Sequence, residues 1–135
     1  MREVKEKTLV DHIVYYLTYY NRYYINNHGG QFSGTGIPDL VTLDKHKRFL
    51  AIEVKVKQRQ PHLRQCRRGL EILRGGGRWI VAYEDFDLCD VDNGNVQKVF
   101  FDDTEKLTSQ TIYEHQFIGT TEVLLNKGEG AGVYD

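Results

Sequence analysis

Cysteine is scarce in this chain, with only Cys66 and Cys89 among 135 residues. Two thiols are too few for a disulfide scaffold and no CxxC spacing exists for structural zinc, so both are expected to be buried and free. The five histidines, His12, His28, His46, His62 and His115, form no HExxH or similar pair, which argues against a zinc enzyme. No run of about 18 apolar residues is present to span a bilayer. The segment MREVKEKTLVDH lacks the apolar core of a secretory signal, so the cytosol is the expected location and a membrane is not an expected partner. Internal repeats and low-complexity tracts are also missing.

What remains is ordinary globular composition, 40% hydrophobic and 27% charged, which excludes disordered and fibrous classes. The length suits one domain over residues 1–135. Its net charge of −1 hides an uneven distribution. Residues 45–78 hold eleven Lys and Arg against two acids, a net of +9, whereas residues 84–105 carry eight acids against Lys98, a net of −7. A basic stretch of that density suits phosphate contact, because each neutralised phosphate releases condensed counterions; a solvated helix face is the alternative.

Leu9, Val10, Ile13 and Leu17 recur at helical spacing, which predicts an amphipathic helix over residues 4–24. Three tyrosine doublets, Tyr15/Tyr16, Tyr19/Tyr20 and Tyr23/Tyr24, would then form two adjoining stripes suited to a core or a subunit interface. NNHGGQFSGTG (26–36) reads as a loop or short irregular strand, and Gly34 and Gly36 there would let the backbone approach a phosphate or metal site. IPDLVTL (37–43) and RFLAIEVKV (48–56) read as an antiparallel hairpin around DKHK. Pro61 opens a helix with Leu63, Leu70 and Leu73 on its buried side, and Gly75–Gly77 ends it. RWIVAY (78–83) follows as a strand parallel to the hairpin's second strand. Beyond Glu84 the pattern weakens: Asn93–Gly94 predicts a hairpin turn between strands near 88–92 and 95–101, and 103–135 reads as unplaced helix and loop.

The residues that carry chemistry are Asp39, Glu53 and Lys55. Alternation along a strand puts Glu53 and Lys55 on one face and Ile52 and Val54 on the other, and the partner strand can bring Asp39 beside Glu53. Two adjacent carboxylates repel unless a divalent cation lies between them, and hard oxygen ligands select Mg²⁺ or Mn²⁺. An acid inside a nearly continuous apolar strand is costly unless paired or metal-bound, which weighs against a plain salt-bridged hairpin. Lys55 beside these acids can hold water and neutralise developing negative charge. Lys57, Arg59, Arg64, Arg67 and Arg68 follow directly and are the candidates for DNA backbone contacts.

Taken in order, Glu6, GTGIPDL (34–40), AIEVK (51–55), Gln65 and GGGRWIVAY (75–83) resemble the PD-(D/E)xK nuclease superfamily, most closely its virus-type replication-repair (VRR-NUC) branch. The resemblance covers about residues 6–83. It implies an α/β restriction-endonuclease-like core, α-β-β-β-α-β, with a mixed central sheet flanked by helices, and leaves 84–135 as an extension. It implies divalent-metal catalysis on DNA, with Asp39, Glu53 and Val54 at the metal, and, for small stand-alone members, homodimers that cut branched DNA such as Holliday junctions. Glu6 would be the helical acid, with Glu3 as the alternative, and Gln65 the polar brace. The implied setting is the cytoplasm of a bacterial, phage-infected or archaeal cell. A sequence-specific restriction-type or nicking enzyme and a non-catalytic DNA-binding subunit are the alternatives.

Overall fold

The computed structural model describes residues 5–30, 35–102, 107–115 and 119–126, so Glu3 and Gly34 lie outside the described residues. Helix α1, Glu6–Tyr19, turns Leu9, Val10, Ile13 and Leu17 inward, as their spacing predicts. It ends before the predicted Tyr24. Asn21 takes the left-handed conformation (φ 57°), and the Asn21 and Arg22 N–H groups close on the Thr18 and Leu17 carbonyls in a Schellman ending. Tyr23 therefore lies in the connection and Tyr24 opens strand β1, Tyr24–Asn26. The continuous double stripe of tyrosines is not formed. Tyr15 and Tyr19 stack on each other at the surface, while Tyr16 and Tyr24 pack against the core.

Strands β2 (Leu40–Leu43) and β3 (Phe49–Val54) form the expected antiparallel hairpin, with Leu40 opposite Ile52. Helix α2, Leu63–Arg74, crosses to β4, Arg78–Ala82, which runs parallel to β3 and sets Val81 beside Glu53. The inward side of α2 is Cys66, Gly69 and Leu70 rather than Leu63, which is exposed. Gly69 is required there, because a Cβ would meet the Trp79 ring at 2.2 Å.

The second half departs further from expectation. Residues 88–92 are not a strand but most of helix α3, Leu88–Asn93, capped by the Asp87 carboxylate at one end. Gly94 at φ 72° and the Asn95 N–H to Asp90 carbonyl bond close the other end. A left-handed glycine serves a helix end as well as a hairpin, and Asn93–Gly94 ends α3 instead of turning between two strands. Strand β5 (Gln97–Asp102), short helix α4 (Ser109–Glu114) and strand β6 (Thr121–Asn126) follow.

The result is a mixed α/β fold with one six-stranded sheet in the order β1-β2-β3-β4-β6-β5. Through Ala82 the elements run α-β-β-β-α-β, and β6 and β5 extend the sheet beyond β4. Side chains of α1 and α3 fill a core on one face, with Leu50, Ile52, Val54 and Ile80 from the sheet. Those of α2 and α4 fill the other, with Ala51, Trp79 and Val81. Among the described residues no helix is long and apolar enough to cross a membrane. Cys66 is buried as expected, but Cys89 is exposed on the outer side of α3.

Candidate active site

The C-terminal ends of β3 and β4 carry the site. Successive residues of β3 face opposite cores, so Ile52 and Val54 enter the α1 side while Glu53 turns toward α2. Glu53 is 1% exposed. Its Oε1 accepts from Gln65 Nε2 at 2.7 Å, and Gln65 Oε1 accepts from the His62 N–H at 2.7 Å, so the first turn of α2 braces the carboxylate.

Asp39 lies just ahead of β2, and its Oδ2 accepts from the Val54 N–H at 2.8 Å. That bond holds it at the end of β3, beside Glu53. Burial, then the charge of Asp39 and a hydrogen bond to it, push the Glu53 carboxyl up to about 10; Lys55 opposes them and Glu6 adds to them. Ionised, Glu53 Oε2 finds no donor among the described residues; protonated, it lies within hydrogen-bonding reach of Asp39.

Lys55 is 6% exposed, directly beyond β3, with its main chain tied to the Ala82 carbonyl at 3.0 Å. Its ammonium acts on both Glu53 and Cys66. Burial, and next the Glu53 charge, raise the Cys66 thiol to about 12, which removes it as a nucleophile near neutral pH.

Four of the expected residues therefore converge, Asp39, Glu53, Lys55 and Gln65, with Glu6 half-buried at the start of α1 and within electrostatic range of Glu53. Val54 buries its side chain in the α1 core and could offer a metal only its carbonyl oxygen. Arg64, Arg67 and Arg68 lie on the exposed side of α2, with Arg68 paired to Glu71 at 3.1 Å. Lys57 and Arg59 are exposed in the connection after β3. Gly36, at φ 83°, lies close against α2, where a Cβ would meet the Arg64 carbonyl oxygen at 2.7 Å.

His28 was not foreseen. Its Nδ1 lies 2.9 Å from Asp39 Oδ1, the natural geometry for an N–H donating to an ionised carboxylate. The missing signal was β1: once Asn26 pairs with Leu40, the turn after it falls beside Asp39, and the Asn27 N–H bonds the Asp39 carbonyl at 2.8 Å. A strand of three residues in a Gly/Asn-rich stretch is too short for periodicity to reveal.

The donor set suits a hard divalent cation. Two abutting carboxylates and an orphaned carboxylate oxygen are a deficit of positive charge that Mg²⁺ or Mn²⁺ would fill. Among the described residues no three His, Cys, Asp or Glu side chains gather to cage a metal. One or two carboxylates are sufficient for Mg²⁺, which keeps several waters and shares substrate phosphate. No protein-family model, curated protein or solved structure matches the chain.

Proposed function

We propose that this chain is a Mg²⁺-dependent, structure-selective DNA endonuclease of the PD-(D/E)xK type, with Asp39, Glu53 and Lys55 as its catalytic residues. The observation that carries this reading is the pair of abutting carboxylates, one fully buried with an oxygen that no described donor satisfies, next to a buried lysine. The α-β-β-β-α-β order through Ala82 supports it. A bound divalent cation supplies Lewis acidity toward a phosphoryl oxygen and makes water a nucleophile near neutral pH.

The chain's own groups do the rest. Asp39, held by the Val54 N–H and His28, and Glu53, held by Gln65, present carboxylate oxygens at one spot. The Lys55 ammonium is a compact donor for charge that develops on the phosphoryl group. Exposed cations at Lys57, Arg59, Arg64, Arg67 and Arg68 contact the DNA backbone and position it without reading sequence. Matched cuts in the two strands of a junction need two sites, so the working form is a symmetric homodimer, with exposed Tyr15 and Tyr19 as candidate interface.

Incubation with a labelled four-way junction, a fork and a linear duplex, each with and without Mg²⁺, tests the reading. Mg²⁺-dependent cutting that favours the junction is expected, with twice the monomer mass by light scattering. Absence of cutting on all three would overturn it.

A further inference from the structure

The turn that follows strand β1 is fastened to the main chain that carries Asp39. The Asn27 N–H donates to the Asp39 carbonyl at 2.8 Å, and the Asn27 side-chain amide donates to the Pro38 carbonyl at 3.2 Å. Within the turn, Asn26 Oδ1 accepts from the His28 N–H at 3.0 Å, and the Gly30 N–H closes on the Asn27 carbonyl at 3.2 Å. The backbone of His28 is thus set in place against Asp39 before any side chain is considered. Strand β1, only three residues long, is what brings this turn to the site.

Asp39 is held at both oxygens. Its Oδ1 faces His28 Nδ1 at 2.9 Å, and its Oδ2 accepts from the Val54 N–H at 2.8 Å. A carboxylate only accepts, so Nδ1 carries the proton, and each oxygen keeps a further lone pair. The His28 and Asp39 side chains are 25% and 14% exposed, so water competes less for this bond than it does for a surface pair. Glu53, by contrast, is held at Oε1 by Gln65, while its Oε2 has no donor among the described residues. An imidazole N–H also orients a carboxylate without the permanent charge of a guanidinium, which Arg48 and Arg78 bring to Asp44 elsewhere in the sheet.

We infer that His28 is a positioning residue of the metal site: donating from Nδ1, it fixes the plane of the Asp39 carboxylate so that the remaining lone pairs meet a divalent cation, and it does not itself bind the ion. A carboxylate locked in one orientation gives up less freedom when the cation arrives. Hydrogen bonds to ligating groups from the residues behind them commonly account for roughly 10–100-fold in metal affinity. The inference rests on the nuclease reading, in which Asp39 is a metal ligand, and adds the residue that orients that ligand.

The test compares His28→Asn with His28→Gln and His28→Ala in the full chain. An Asn amide nitrogen stands as many bonds beyond Cβ as Nδ1 does, whereas a Gln amide nitrogen matches Nε2. Mn²⁺ binding without DNA is read from loss of the free-ion signal in electron paramagnetic resonance, with circular dichroism to confirm folding. Cleavage of the four-way junction is followed in parallel across Mg²⁺ concentrations. His28→Asn should bind Mn²⁺ about as tightly as wild type, and His28→Gln and His28→Ala roughly 10–100-fold more weakly. The Mg²⁺ concentration for half-maximal cleavage should rise in the same order, with the rate at saturating Mg²⁺ largely kept. Equal Mn²⁺ affinity in all four proteins, or affinity kept by His28→Gln and lost in His28→Asn, would overturn the inference. The expected order of affinities with no cleavage by wild type would instead overturn the nuclease reading and leave His28 as the positioning residue of a metal site.

Discussion

At the end of the sheet where β4 begins, Arg78 donates to Glu122 Oε1 at 2.6 Å, to Asp44 Oδ2 at 3.0 Å and to the Val91 carbonyl at 2.9 Å, with Arg48 on Asp44 and Lys98 on Glu122. Burial pushes both acids up, but these donors outweigh it and hold Asp44 and Glu122 below their usual range. At the end where β3 and β4 finish, Glu53 is buried as deeply, yet the charges that act on it among the described residues are Asp39, Lys55 and Glu6, and burial with the Asp39 charge raises its carboxyl to about 10. One acidic cluster is neutralised from within the chain. The other is left short of positive charge, which only a proton or a cation can supply. The difference separates buried acids that the described residues satisfy from a buried acid that they leave with an unmatched oxygen.

The largest effect should come from breaking the compensated end. Arg78→Met keeps side-chain bulk but takes the buried guanidinium away from Asp44, Glu122 and the Val91 carbonyl, leaving the two buried acids only the more exposed Arg48 and Lys98, so unfolding in urea should show a loss of about 3–5 kcal/mol. A loss below about 1 kcal/mol would mean that this end does not depend on its central cation.

At the uncompensated end the expected loss is in chemistry. If the chain is the proposed nuclease, Lys55→Ala and Asp39→Asn should each lower its cleavage rate at least about a hundredfold, near 2.7 kcal/mol of barrier, with circular dichroism and DNA binding retained. Metal-dependent cutting kept by both variants would refute the assignment of these residues.

How much of this was legible beforehand depended on the type of signal. Glu53 and Lys55 could be read because strand alternation is local: an acid amid Leu50, Ala51, Ile52 and Val54 has to be explained wherever the strand packs. The hairpin and the crossover to β4 were likewise set by neighbours in sequence. His28 and the Arg78 cluster were not legible, since each joins residues brought together only by strand order. Strand β6 inserts between β4 and β5, and its buried Glu122, satisfied by Arg78, interrupts the apolar pattern that would have announced it. The ends of α1 and α3 turned on single left-handed residues, Asn21 and Gly94, whose alternatives are equally well spelled.

The two ends should also respond to pH with opposite sign. Asp44 and Glu122 are lowered in the folded state, so their stabilisation is present above the unfolded carboxyl range, near 4, and is lost as pH falls through their folded values. Glu53 is raised to about 10, so its contribution is full below that range and drains away as pH climbs toward 10. Glu53→Gln should therefore stabilise the metal-free protein at pH 8 and flatten the alkaline side of the stability profile while leaving its acid side unchanged. An alkaline slope that survives the substitution would place its cause elsewhere.

The smallest effect is the most direct comparison of the ends. If the deficit at Asp39 and Glu53 is met by a divalent cation, Mg²⁺ binds the folded state only and raises stability by RT ln(1 + [Mg²⁺]/Kd), about 1 kcal/mol at five times Kd. The gain should be larger at pH 8 than at pH 5, because the cation must displace the proton that Glu53 holds and that displacement costs more as pH falls. It should vanish in Glu53→Gln, where the amide needs no counter-charge, and it should persist undiminished in Lys98→Met, which alters only the compensated end. Thermal unfolding with and without Mg²⁺ measures all of these. Equal stabilisation of Glu53→Gln and wild type would show that the ion binds away from the buried pair, and the contrast between the two ends would then be one of stability alone.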